Sequence, residues 1–538
     1  MVTTASHTLQ DRLDELAKLQ TDTLEKPYSI HHRLSLANAY RSLGYPDLAA
    51  GDAYKALLLV DECVETGEFH DEALEAATSD YQEQSGSLEE DTDKVIQWAK
   101  SCGLKHAYEI LIPCLIYCGC LRSAAGFIKR ALRAFPEEES LASYRKTLDL
   151  KLRSHFTLKN NDIDAINIED YPDKGFVRRE LYPWNQHEPD RFSPEALQFL
   201  NEEMERIAHK LEVRVSELPL LGERSSASDN SAFVKQLGVF AKEDISPGEG
   251  ILTEKSLLTG ISRLHDSYCD ACSISLSSTD DDPHSATISC DGCDEVFFCS
   301  EECHDLAQDN YHPSLCGVNM EQKVSASEAA DSLYTLLLVR AMGMAETQDV
   351  HPLDLKEVRY IWGDYHGLDL GENCALNSDP FASVPQTLSF SFEANVLRPL
   401  HVLEKMDVNI YEQSHRYDTW IFNTLYAKFR GTASAQQGLD GRPEIGAVHP
   451  MWCLANHSCD PNVTWEWKGS MRFWAREQLV DYERRVPKRP GLKKGEEVFS
   501  HYCDIRLSVQ ERREWAVGAL GGLCVCPRCI CEEAQLKD

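Results

Sequence analysis

The chain has 538 residues, 42% of them hydrophobic and 26% charged, so it carries enough apolar material for several folded units and is no disordered polyelectrolyte. Its net charge of -34 works against general nucleic-acid binding. It suits basic, lysine-containing protein partners, although a solvated acidic surface is the commoner reason for such a charge.

From Leu9 to about Leu152 the apolar residues recur at helical spacing with few breakers. Two stretches of this region match at an offset of 75. Tyr40, Gly44, Ala49, Ala50 and Ala56-Leu57 correspond to Leu115, Gly119, Ala124, Ala125 and Ala131-Leu132. Small residues between larger apolar ones let paired helices approach closely. The pattern resembles the tetratricopeptide helix-turn-helix, and a plain helical bundle satisfies it too. Either way this part packs and binds partners rather than doing chemistry. Residues 160–193 lose periodicity and gain Asp, Asn and Pro, which reads as a connector. A helix is expected over 194–218, with Ser193 as N-cap and Pro194 in the first turn. Gly238-Val239-Phe240-Ala241 and Ile251-Leu252 read as short strands flanking the Pro247-Gly248 turn. Ala326 to Gly343 reads as a helix, the region to about 425 as largely helical, and strand signals return after Ala447. Phe390-Ser391-Phe392 and Trp465-Glu466-Trp467 alternate as strand or core aromatics do. His449 and His501 read as ordinary core or surface histidines.

The first ten residues lack the basic and apolar regions of a secretory signal. The longest apolar run, Ile110 to Leu121, contains Pro113 and is too short to span a bilayer. A non-secreted protein of the nucleus or cytoplasm is expected, with its twenty cysteines as thiols and metal ligands rather than disulfides. The basic run Arg484-Arg485, Lys488-Arg489 and Lys493-Lys494 reads as a solvated loop or a nuclear address.

The cysteine island reads Cys269-x2-Cys272, Cys290-x2-Cys293, Cys299-x3-Cys303 and His312-x3-Cys316. Four ligand pairs supply eight donors, enough for two tetrahedral zinc ions. So small a segment lacks the apolar residues to fold unaided. With Phe298-Cys299-Ser300 in place of the usual Tyr-Cys-Ser, it resembles the MYND zinc finger. That resemblance implies interleaved ions: Cys269, Cys272, Cys299 and Cys303 on one, and Cys290, Cys293, His312 and Cys316 on the other. MYND fingers bind Pro-rich peptides and sometimes DNA; the acidic loop Asp280-Asp281-Asp282 makes DNA the poorer fit here.

The densest polar stretch is Asn456-His457-Ser458-Cys459-Asp460-Pro461-Asn462, followed by Glu497-Val-Phe-Ser-His-Tyr502-Cys-Asp504. Together with Gly238-Val239-Phe240-Ala241, these residues resemble the SET-domain signature, and the finger between them narrows the resemblance to the SET-and-MYND lysine methyltransferases. It covers about residues 230–531. The resemblance implies an S-adenosylmethionine site at Gly238, Phe240, Asn456 and His457, and a catalytic Tyr502 that orients the reacting centre. Cys524, Cys526 and Cys529 give three ligands of a third zinc. The family's fourth is the cysteine of Asn-His-Ser-Cys, here Cys459, with Cys531 as the substitute.

The implied fold is multidomain α+β: a tetratricopeptide-like region at 1–155, a connector and helix at 156–218, and the SET N-terminal part at 219–264. The finger takes 265–318, a helical insert 319–425, the catalytic half 426–510 and the post-SET zinc segment 511–538. The implied function is methyl transfer to lysines of a histone or other protein. The alternative is a non-catalytic interaction scaffold with a degenerate SET domain. Departures from the family support the alternative. Gln236 stands in place of the first glycine of Gly-x-Gly, Ala427 in place of an asparagine, Leu520 in place of a channel tyrosine, and Gly522 in place of an adenine-covering aromatic. Trp515 is the candidate to compensate.

Overall fold

The computed structural model describes residues 9–86, 91–157, 166–219, 221, 233–262, 267–276, 287–293, 295–318, 328–363, 365, 385–438, 441–483, 488–520 and 522–537. Asp280-Asp281-Asp282 and Arg484-Arg485 lie outside them. The chain forms two compact units, one of residues 1–184 with 365–424 and one of 185–364 with 425–538.

The first unit is built on antiparallel helices from Leu9–Glu25 to Glu139–Thr157. Its internal repeat is visible in hydrogen bonds. The N–H groups of Leu43, Gly44 and Tyr45 donate to the carbonyls of Ala39, Arg41 and Tyr40. Those of Cys118, Gly119 and Cys120 donate to Cys114, Ile116 and Leu115, the same three bonds 75 residues later. Gly44 and Gly119 carry φ of 77° and 79° at these turns, a left-handed conformation that a side chain penalises. Ala49, Ala50, Ala124 and Ala131 are fully buried behind them, where a larger side chain would hold the helices apart.

Two expectations change here. Residues 160–193 hold the strand Gly175–Arg178, paired antiparallel with Gln386–Phe390. The segment 365–424, placed from the sequence in a helical insert at 319–425, groups with the N-terminal helices, where Arg33 donates to the Tyr411 carbonyl, Lys55 pairs with Asp418 and Asn423 donates to Asp47. Phe390 and Phe392 are fully buried there as core aromatics.

The second unit opens with the helix Pro194–Ile207, where the Ser193 hydroxyl accepts the Ala196 N–H at 3.1 Å. The helix stops short of the expected residue 218. Leu211, Val213 and Val215 alternate with Glu212 and Arg214, and Leu211–Pro219 is a strand antiparallel to Phe233–Ala241. Gly250–Glu254 pairs not with its neighbour in sequence but with Met471–Ala475, which in turn pairs with Val463–Trp467. Thr259–Ile261, Pro443–Ala447 and Ser434–Gln437 make a second three-stranded sheet. The core joins Leu200 and Met204 of the helix to Val213, Val239, Leu252, Ile445, Trp452, Val463, Phe473 and Val498. The helix read over 326–343 runs from Ala329 to Thr347. Among the described residues, no helix is long and apolar enough to cross a membrane.

Candidate active site and metal centres

The polar stretch at 456–462 is laced to 497–502. Asn456–His457 forms a short parallel ladder with Phe499–Ser500. Asn462, 1% exposed, donates its amide to the Glu497 carbonyl at 2.8 Å and accepts the Phe499 N–H at 2.8 Å. Both ends of one side chain thus fix the neighbouring segment. Phe240 bridges to Glu497 through its backbone, which brings the strand Phe233–Ala241 alongside.

At this junction Asn456 Nδ2 donates to the Leu237 carbonyl at 3.0 Å and to Glu497 Oε1 at 2.7 Å. The Ser216 hydroxyl donates to Glu497 Oε2 at 3.0 Å. Burial pushes the Glu497 carboxyl above its usual range, against the pull of its two donors. A Cβ on Gly238 would stand 2.5 Å from Glu497 Oε1 and 3.1 Å from Asn456 Nδ2, so only glycine leaves the wall in place.

His457 and Tyr502 meet on the other side of the ladder. The Tyr502 N–H donates to His457 Nδ1 at 3.0 Å. That bond makes Nδ1 an acceptor and puts the proton of the neutral ring on Nε2, which faces Cys459 Sγ at 3.4 Å. Burial pushes the imidazole down to about 4, so it is neutral at physiological pH. The Tyr502 hydroxyl donates to the Ala455 carbonyl at 3.0 Å, and burial raises the phenol well above its ordinary value. At neutral pH it is a donor and no base.

Twelve candidate ligands gather in three groups of four. One is Cys269, Cys272, Cys299 and Cys303; another is Cys290, Cys293, His312 and Cys316; the third is Cys459, Cys524, Cys526 and Cys529. The gaps between donor atoms include 3.7 Å from Cys272 to Cys299, 3.6 Å from Cys299 to Cys303 and 3.9 Å from Cys290 to Cys316. Cys293 Sγ lies 3.7 Å from His312 Nε2, and Cys459 lies 4.0 and 3.4 Å from Cys524 and Cys529. A zinc–sulfur bond of about 2.3 Å gives a tetrahedron edge of about 3.8 Å, so these gaps fit zinc and are far too long for disulfides. Cys531 sits apart, its thiol on the Glu483 carbonyl.

The family model described as SET domain matches residues 236–503. The chain contains a SET domain. SET domains are in general protein lysine methyltransferases that use S-adenosylmethionine, and the three cysteine-rich groups are able to hold zinc. No curated protein matches the chain.

Within and beside the SET domain the departures have definite surroundings. Gln236 pairs through its backbone with Ser216, and Ala427 is buried in the helix Thr419–Thr432. Leu520 packs on the cluster of Cys459, Cys503, Cys524 and Cys529, bringing no hydroxyl. Trp515 is 61% exposed. His449 is buried, and burial pushes it down to about 3, as for a core histidine.

Several residues around the SET site went unread in the sequence. Glu497 is one. Arg512 reaches Cys529 Sγ at 3.7 Å and Glu532 at 2.6 Å, Arg513 donates to the Cys524 carbonyl, and Arg528 donates to the Cys459 carbonyl at 2.9 Å. Their positive charge offsets the thiolates such a cluster needs. Arg340, 7% exposed, pairs with Asp270 at 3.0 Å and covers the Tyr311 ring, tying the first two cysteine groups to the helix Ala329–Thr347. No spacing rule marks an arginine or a glutamate for such duty.

Proposed function

We propose that the chain is a protein-lysine N-methyltransferase that uses S-adenosylmethionine. The observation that carries this reading is the convergence of Gly238, Asn456, Glu497, His457 and Tyr502 inside the matched SET domain. A glycine that lets the Glu497 carboxylate and the Asn456 amide close against its strand gathers polar groups that fit an adenosyl and amino-acid ligand. Gly238, Phe240, Asn456 and His457 would hold it. When bound, S-adenosylmethionine supplies an electrophilic methyl group on a sulfonium.

Direct displacement needs no protein nucleophile, and positioning supplies most of the rate. Tyr502, kept protonated by burial, orients groups at the reacting centre and does not take the lysine proton. A substrate amine, with an ordinary pKa of about 10.4, enters as the neutral base where desolvation disfavours its charge.

The three four-ligand groups are read as zinc sites, the first two as an interleaved MYND finger able to take a Pro-rich peptide. The third pins the C-terminal segment beside the SET site. The helices before residue 155 are read as tetratricopeptide-like, supported by the repeated turn at Gly44 and Gly119. The net charge of -34 favours a basic, lysine-bearing protein substrate, histone or not, and disfavours direct nucleic-acid binding. Nuclear or cytoplasmic residence accords with such substrates.

A second reading, an interaction scaffold, is favoured by Leu520, which packs an apolar chain where the family has a hydroxyl. Calorimetric titration of the zinc-loaded chain with S-adenosylmethionine separates the two. Binding, followed by transfer of labelled methyl to proteins of a cell extract, supports the enzyme. No binding leaves the scaffold.

A further inference from the structure

We propose that Glu497 is the acceptor for the ammonium group at the amino-acid end of S-adenosylmethionine, an assignment that rests on the methyltransferase reading above.

The strand pair beside it sets the stage. Leu211–Pro219 and Phe233–Ala241 place Arg214 opposite Gly238 and Ser216 opposite Gln236. Residues directly opposite in an antiparallel pair point to the same side, and successive residues along a strand point to opposite sides. Leu211, Val213, Leu237 and Val239 therefore share one side and join the core. Arg214, Ser216, Gln236, Gly238 and Phe240 share the other. Glu497 stands over that second side. The Ser216 hydroxyl reaches its Oε2 at 3.0 Å, and its Oε1 lies 2.5 Å from where a Cβ of Gly238 would be. Asn456 and Glu497 are both half-buried, which leaves them within reach of a ligand.

Glu497 carries a negative charge that nothing around it balances. Its partners, Asn456 Nδ2 at 2.7 Å and the Ser216 hydroxyl, are neutral donors. Among the described residues no ion pair reaches it. The basic residue on this side of the two strands, Arg214, pairs with Glu212 and rests over the Phe240 ring, 5.4 Å from its centroid. Hydrogen bonding alone would be met equally by a glutamine, whose carbonyl accepts from Asn456 while its amide donates to the Ser216 oxygen. A carboxylate withdrawn from water is costly unless a cation meets it. The upward push of burial on the Glu497 carboxyl is the mark of that missing cation.

The acceptors left over describe the cation. Each carboxylate oxygen keeps a further lone pair. Asn456 spends both Nδ2 hydrogens, on Leu237 and Glu497, so its Oδ1 is a second acceptor beside them. Acceptors set side by side suit a positive group with three N–H donors. S-adenosylmethionine offers two positive groups, the sulfonium and the ammonium. The sulfonium must face the methyl acceptor. Asn456 and His457 are successive strand residues, so Tyr502, bonded to His457, lies across the ladder from Glu497. The reacting centre and the target amine belong on that side, and the ammonium is the positive group left for Glu497.

The test compares two ligands that differ at one group: S-adenosylhomocysteine and its deamino analogue, with hydrogen in place of the ammonium. Calorimetry uses the zinc-loaded full-length chain. Wild type is expected to prefer S-adenosylhomocysteine by about tenfold or more, the scale of a hydrogen bond to a charged group. Glu497→Gln, which keeps the size and both hydrogen bonds, is expected to bind the two within about twofold of each other. Methylthioadenosine, which lacks the whole amino-acid end, is expected to bind wild type and variant alike. A preference retained by Glu497→Gln, a loss of methylthioadenosine binding in step with it, or a wild type with no preference overturns the proposal and leaves the cofactor reading standing. Failure of wild type to bind S-adenosylmethionine and S-adenosylhomocysteine at all overturns the methyltransferase reading, and this assignment with it.

Discussion

The carboxylate of Glu497 occupies the space that a side chain on Gly238 would need. A Cβ there falls 2.5 Å from Oε1, and that oxygen does not swing away freely, because Asn456 and Ser216 hold the two ends of the carboxylate. Gly238→Ala must therefore break one of these bonds or displace the strand Phe233–Ala241. The expected result is a loss of S-adenosylmethionine affinity of at least tenfold, about 1.4 kcal/mol, with zinc content unchanged. Calorimetry on wild type and variant reads it directly. Undiminished binding would mean that this wall does not face the cofactor.

Tyr502 offers a cleaner separation of chemistry from structure. Its backbone N–H, not its hydroxyl, holds His457, and the hydroxyl's recorded partner is the Ala455 carbonyl. Tyr502→Phe keeps the first bond and loses the second, a stability cost of about 1 kcal/mol. Methyl transfer is expected to fall on the order of 100-fold or more, since misplacement of the reacting centre has that scale. Cofactor binding and zinc content should remain. Labelling of substrate proteins at the wild-type rate would remove Tyr502 from the catalytic role.

What the sequence disclosed and what it hid divide along physical lines. Candidate metal ligands are legible because cysteines only a few residues apart can turn both thiols onto one ion. Cys269 with Cys272 and Cys524 with Cys526 and Cys529 therefore announce themselves, and the fold brings each to the expected companions. The Asn456–Asn462 stretch is legible because so many polar groups have no place in a plain core. Glu497, Arg340, Arg512 and Arg528 are of residue types that usually sit at the surface, and only the fold shows the half-buried Glu497 held by Asn456 and Ser216 and the buried arginines set against carbonyls and thiols. The grouping of 365–424 with the N-terminal helices rests on contacts such as Arg33 with Tyr411, Lys55 with Asp418 and Asp47 with Asn423, more than 350 residues apart and beyond any local periodicity. The overlong helix at 194–218 arose because Leu211 and Val215 also fit helical spacing. The Val213 between them, with charged neighbours on both sides, decides for a strand.

Cys459 links the third cysteine group to the SET site, since His457 Nε2 faces its sulfur and Asn456 lies three residues before it. Cys526→Ser is accordingly expected to cost the chain one zinc ion and its cofactor affinity together. Cys290→Ser, in the separate group with His312, is expected to cost one ion and leave cofactor affinity within about twofold. Metal counting alongside calorimetry checks both. Full cofactor binding by a Cys526→Ser protein short of one ion would show that the third group does not support the site.

Glu254 supplies the pH dependence. Its carboxylate accepts the Met451 and Trp452 N–H groups at 3.0 and 2.8 Å, steadying the turn that leads into Asn456. It is 5% exposed, and burial, outweighing these two donors, pushes its carboxyl from 4.5 up to about 7. The folded state thus binds this proton more tightly than the unfolded chain. The associated stability is fully present below about pH 4.5 and is lost as pH rises through about 7, a range worth about 3 kcal/mol at most. Glu254→Gln has no proton to lose there. In thermal unfolding of both proteins, the wild-type advantage over the variant is expected to shrink by several degrees between about pH 5 and about pH 8. Subtracting the two curves cancels every group they share, including the thiols of the cysteine clusters. A difference that stays constant across that window would show that Glu254 is already ionised in the folded protein.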